Sequence, residues 1–111
     1  MQDQDRRAAI AAYKERKPAA GIYALRCAAS GAVWVGQTLT LGTVWNRHLF
    51  ALRLGNARPA ALQTAWNTHG EAAIGFDVLE ELPEEELDFA RDALLKDRLA
   101  HWRAALRAEL L

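Results

Sequence analysis

The 111-residue chain predicts a mixed α/β domain of the α+β type, on three observations. Two β-rich runs, Ile22 to Cys27 and Val33 to Val35, flank a Ser30-Gly31 turn and read as a hairpin. Val44, Trp45, His48, Leu49 and Leu52 then recur at helical spacing. Ile74, Phe76 and Val78 alternate with Gly75 and Asp77, which is strand spacing.

The remaining elements follow in order. Asp3 to Lys17 has helical composition, with Ile10 and Tyr13 as its largest apolar groups, and Pro18 ends it. Gln37 to Gly42 is a loop, and Gly55 is a plausible stop for the helix after it. Pro59 opens a second helix, with Leu62, Ala65 and Trp66 on one side and an end at His69-Gly70. Pro83 with Glu84, Glu85 and Glu86 starts the last helix, where acids suit the positive end of the dipole. Leu87, Leu94, Leu95, Leu99, Trp102, Leu106 and Leu110 form one apolar stripe, as one long helix or two with a bend near Asp97. The expected order is helix, two strands, two helices, strand, helix.

Length and composition fit one soluble domain. No apolar run of about 18 residues spans a membrane, and Met1 to Lys17 lacks the apolar block of a secretory signal. The single Cys27 cannot form an internal disulfide, and no Cys/His cluster suggests zinc. A cytoplasmic location is the default expectation. The zero net charge hides an asymmetry: residues 1–70 carry nine basic and three acidic side chains, residues 71–111 five and eleven. A basic half can attract a polyanion even in a neutral protein; the plain alternative is that the two halves pair within the fold.

Gly21-Ile22-Tyr23 followed by Val33-Trp34-Val35-Gly36 resembles the paired signatures of the GIY-YIG nuclease family, with Trp34 at the second tyrosine. The pattern continues through Trp45, Arg47-His48, Leu52, Gly55, Leu62-Gln63, Asn67 and His69-Gly70. Phe76 to Glu81 matches the family's third strand. The likeness covers about residues 20–83 and looks closest to the homing-endonuclease branch. It implies a single domain with a small three-stranded antiparallel sheet flanked by helices. Residues 1–17 are then an N-terminal helix, 20–83 the family core and 84–111 a C-terminal helical segment.

The resemblance also implies a chemistry: phosphodiester hydrolysis with one divalent metal, Mg²⁺ or Mn²⁺. Tyr23 stands at the first-signature tyrosine, which helps generate the attacking hydroxide; the plain alternative is a core tyrosine with a partnered hydroxyl. Trp34 can stack but cannot accept or lose a proton. Val44 occupies the position of the family's catalytic arginine, and Arg47 lies one turn further on. Arg47 is read first as a phosphate ligand, second as a catalytic substitute, with a solvated helix face as the plain alternative. His48 can donate to a phosphate or move a proton. The family's metal-binding glutamate falls near Ala93; Asp92 is the neighbouring carboxylate and the expected metal ligand, with an exposed helix acid as its alternative.

Two of four catalytic elements are thus replaced, which predicts a nuclease fold with absent or strongly reduced hydrolysis. Nucleic acid, DNA first, is the expected partner. Arg26, Trp34, Arg53 and Arg58 are its expected contacts, with Lys14, Arg16 and Lys17 from the first helix. One alternative is an active metal-dependent endonuclease using Tyr23, Arg47, His48 and Asp92. The other is a protein-interaction module built on the Leu87–Leu110 stripe, with self-association not favoured.

Overall fold

The structure, a computed structural model, describes residues 19–82 and 88–111. The expected N-terminal helix with Lys14, Arg16 and Lys17, and the helix start from Pro83 to Leu87, lie outside the described residues. Strand β1 (Gly21–Cys27) pairs with β2 (Val33–Thr38) as the expected hairpin. The turn between them closes with Cys27 N–H on Ala32 O and Gly31 N–H on Cys27 O. Gly31 takes φ 78°, the left-handed backbone that a glycine adopts without penalty.

Helix α1 (Leu41–Leu54) and helix α2 (Ala60–His69) follow, then a short 3-10 turn, then β3 (Ile74–Glu81). Gly55 ends α1 with φ 82°. Its N–H bonds Leu52 O and that of Asn56 bonds Ala51 O, a Schellman end. Helix α3 (Asp88–Leu106) is one uninterrupted helix, so there is no bend at Asp97. No described helix is long and apolar enough to cross a membrane.

The sheet corrects the three-strand expectation. Its order is β3-β1-β2-β4, with β4 (Glu109–Leu110) parallel to β2 and the other pairs antiparallel. Leu110, expected in the helical stripe, lies on this edge strand and is 41% exposed. The remaining stripe is spent inside the fold: Leu94, Leu95, Leu99, Trp102 and Leu106 pack on the sheet beneath Ile22, Ala24 and Val35.

Strand alternation sorts the core into two sides. Tyr23, Leu25, Cys27, Trp34 and Ile74 face α1 and α2, against Val44, Leu52 and Leu62. Ile22, Ala24 and Val35 face α3. Tyr23 pairs with Val78 and Ile22 with Glu80, so Leu79 is an extra residue in β3. This bulge re-aims the strand end. It brings Glu80 under α3, where its Oε1 accepts from Arg98 Nε at 2.7 Å and Trp102 Nε1 at 2.9 Å. Those bonds hold the Glu80 carboxyl below its ordinary pKa, Trp102 foremost.

Two signature glycines have steric reasons. Tyr23 and Gly36 are cross-strand partners, and a Cβ on Gly36 would lie 2.8 Å from the Tyr23 hydroxyl. A Cβ on Gly21 would lie 2.1 Å from Glu80 O and 2.8 Å from Leu41 Cδ1. The first contact is with backbone, so a strand must move. Gly21→Ala is therefore expected to destabilise the domain by about 1–3 kcal/mol, read as a lower urea midpoint. An unchanged midpoint would refute the steric account.

Candidate functional site

The loop between β2 and α1 builds one wall. Thr38 Oγ1 accepts from the Thr40 N–H at 3.0 Å, which folds the chain back on itself before the helix. Arg47, in the second turn of α1, donates from Nη2 to Thr38 Oγ1 at 3.1 Å and to Thr40 Oγ1 at 2.9 Å. Both acceptors are neutral hydroxyls. Among the described residues Arg47 has no carboxylate partner, so its charge is held in place without being cancelled.

Tyr23 and His48 form the centre. The Tyr23 hydroxyl lies 2.7 Å from His48 Nε2 in a hydrogen bond, with ring centroids 5.5 Å apart. Burial pushes the Tyr23 phenol up to about 12, against a smaller opposite pull from Arg47. Burial, then the Arg47 charge, lowers the His48 pKa. At neutral pH the phenol thus keeps its proton and the imidazole stays neutral. In the tautomer with its proton on Nδ1, the neutral imidazole accepts the phenol's hydrogen at Nε2.

A second loop closes the other side. The buried Gln63 of α2 accepts the Ala57 N–H at 2.9 Å. It donates to Leu52 O at 3.1 Å and Asn67 Oδ1 at 3.0 Å. Leu62-Gln63 and Asn67 are therefore scaffold. They pin the turn that presents Asn56 and Arg58.

These walls enclose an open cleft of about 720 Å³. Tyr23, Arg47, His48, Arg58 and Asp92 all line it, beside Val44 and the Thr38–Thr40 turn. Asp92 comes from the first half of α3, which packs on the opposite face of the sheet from α1. Five of the eight residues singled out in the sequence meet here. Among the described residues no group of three His, Cys, Asp or Glu side chains forms a metal cage. Mg²⁺ keeps most of its waters and needs only one or two carboxylates, so Asp92 alone fits such an ion.

The other three do not join the cleft. Trp34 is only 3% exposed and packs in the α1–α2 core, which corrects its place among the nucleic-acid contacts. A buried indole has no face to offer a base. Arg26 is paired with Asp77 at 2.8 Å on the neighbouring strand. Arg53 is paired with Glu71 at 2.7 Å. Sequence reasoning missed Thr38 and Thr40, which orient Arg47. The legible signal was two hydroxyls immediately before a helix, read only as a loop.

No family model matches the chain, and no curated protein does either. Solved structures do. The catalytic domain of homing endonuclease I-TevI matches with a TM-score of 0.69 and 26% identity, covering 83% of this chain and 97% of that one. A mutant form of the catalytic domain of intron endonuclease I-TevI matches with a TM-score of 0.68 and 28% identity, covering 80% and 84%. I-TevI is a GIY-YIG nuclease. With the hairpin, the helices and the sheet already described, this likeness shows that the chain has the GIY-YIG nuclease fold.

Proposed function

We propose that the domain binds the phosphodiester backbone of nucleic acid in this cleft and hydrolyses it, with DNA as the first substrate to try. The single observation that carries the reading is Arg47. Its guanidinium is held by hydroxyls and opens into the same cleft as the Tyr23–His48 pair and Asp92. The sequence reading rested on Val44 leaving no cation at the reacting phosphate; Arg47 supplies one from the adjacent turn.

Each group then has a task. Arg47, with Arg58 across the cleft, binds the non-bridging phosphate oxygens and stabilises the charge that builds on them. Water attacking phosphorus gives its proton to the Tyr23 oxygen as Tyr23 passes its own to His48 Nε2. The hydroxide adds, the bond from phosphorus to the leaving sugar oxygen breaks, and solvent protonates that oxygen. Asp92 would hold the divalent ion, Mg²⁺ or Mn²⁺. When bound, that ion supplies Lewis-acid stabilisation of the phosphate.

A second reading is favoured by Val44 and Trp34, which replace two groups of the family's chemistry: binding without cleavage. Supercoiled plasmid with Mg²⁺ or Mn²⁺ separates the two. Nicking that a chelator stops is expected. Asp92→Asn should raise the metal concentration for half-maximal nicking at least about tenfold, the loss typical of outer-shell partners alone. Intact plasmid at high protein excess, with salt-sensitive binding, would leave the second reading standing. No binding at low salt would remove both.

A further inference from the structure

Helix α1 carries a second stripe beside its cleft-facing one. Thr43, Arg47, Phe50 and Leu54 recur at i, i+4, i+7 and i+11, so they share one edge of the helix. Phe50 is 68% exposed and Leu54 61% exposed. A phenyl this open in a small domain leaves most of its apolar surface in water. It stands three residues, about 4.5 Å of helix rise, beyond Arg47, whose guanidinium reaches back to Thr38 and Thr40.

Beside this stripe the cleft carries positive charge that is not cancelled, although Arg26 and Arg53 are tied to Asp77 and Glu71. Arg47 and Arg58 face the cleft, and neither has a carboxylate partner among the described residues. An apolar protein partner would need to bury these guanidiniums without compensation. A polynucleotide compensates them with phosphates and offers a flat apolar face one nucleotide away.

We propose that Phe50, with Leu54 beside it, is a stacking platform for an unpaired base whose adjoining phosphate rests on Arg47. The inference rests on the phosphate-binding part of the function proposed above and adds the substrate class. In a duplex each base face is covered by its neighbours. A phenyl on a rigid helix meets a free face only in single-stranded, flapped or frayed nucleic acid. The domain therefore prefers such strands to intact duplex. The cleft supplies the charge, and Phe50 selects the strand state.

The test is fluorescence anisotropy at low salt with the full chain and labelled oligothymidine of about 15 nucleotides, the scale of one binding module. An abasic oligomer of the same length and a duplex serve as comparisons. Wild type is expected to bind oligothymidine about tenfold more tightly than the abasic strand. Phe50→Ala removes that difference and leaves abasic binding unchanged. Phe50→Trp keeps it and adds indole quenching on binding. Equal affinity of wild type for oligothymidine and the abasic strand overturns the platform while phosphate binding stands. Failure to bind either strand overturns both. Light scattering that shows a dimer lost in Phe50→Ala, with oligothymidine affinity unchanged, assigns the patch to a second copy and also overturns the proposal.

Discussion

Arg47→Ala slows plasmid nicking by on the order of a hundredfold or more, the usual loss when one preorganised charge is removed from a transition state. The argument is electrostatic. Val44 brings no charge to the cleft, and Arg58 sits on a turn rather than inside a helix. Arg47 is fixed by two hydroxyls that orient it without neutralising it. Arg47→Lys should recover part of the rate, because an ammonium keeps the charge but loses the planar fork. Removing the cation has a second effect with a definite sign. The Arg47 charge helps to hold the His48 pKa below its ordinary 6.5. In Arg47→Ala the imidazole therefore binds its proton more readily, and the acid limb of the rate profile moves to higher pH. A variant with wild-type rate and an unmoved limb would show that Arg47 is only a solvated helix residue.

Tyr23→Phe is expected to cost about a hundredfold to ten-thousandfold in rate with little change in melting temperature. The phenyl still packs on Gly36 and Phe76, and only the hydroxyl in contact with His48 is lost. The pH profile tests the relay itself. With the phenol pushed up to about 12, a phenolate acting alone would make the rate climb about tenfold per pH unit through the neutral range. If Tyr23 instead passes its proton to His48, the rate levels off once the imidazole is neutral. It then falls only as pH drops through the lowered His48 value. A continuous climb from pH 6 to 9 would exclude His48 as the proton's destination.

The same shifts carry a stability consequence. Tyr23 binds its proton more tightly in the fold than in the unfolded chain, so stability falls as pH rises above its ordinary 10.0. His48 binds its proton less tightly in the fold, so its contribution is intact above 6.5 and is lost as pH falls below it. These two groups therefore make the fold less stable in acid and in strong alkali.

Much of the fold was legible because its signals are local. The Ser30-Gly31 turn, the Gly55 stop and the alternation of Ile74, Phe76 and Val78 depend on neighbours in the chain. The C-terminal ends of α1 and α3 show the contrast. At Gly55 a glycine announces the left-handed residue that closes α1. At the end of α3 the same hydrogen bonds form, Ala108 N–H on Arg103 O and Arg107 N–H on Ala104 O. The left-handed residue there is Arg107, with φ 51°. With no glycine to mark the stop, the apolar stripe reads straight through to Leu110. Strand β4 is only two residues long, too short for alternation to show. It exists because β2 offers a free edge, and the Leu111 N–H also bonds Val35 O there.

The candidate site divides in the same way. By itself the sequence determined the hairpin, the two middle helices, the third strand and the loss of a cation at Val44. Those follow from residue identity and spacing along the chain. Only the tertiary structure decided that Trp34 is core, that Arg26 and Arg53 are tied to carboxylates, and that Asp92 comes round to the cleft that Arg47 enters. The physical reason is that a side chain's charge and reach are local properties. Its partner is set by which elements pack together, and here α3 and the carboxylates Asp77 and Glu71 lie well beyond β1 and α1 in sequence.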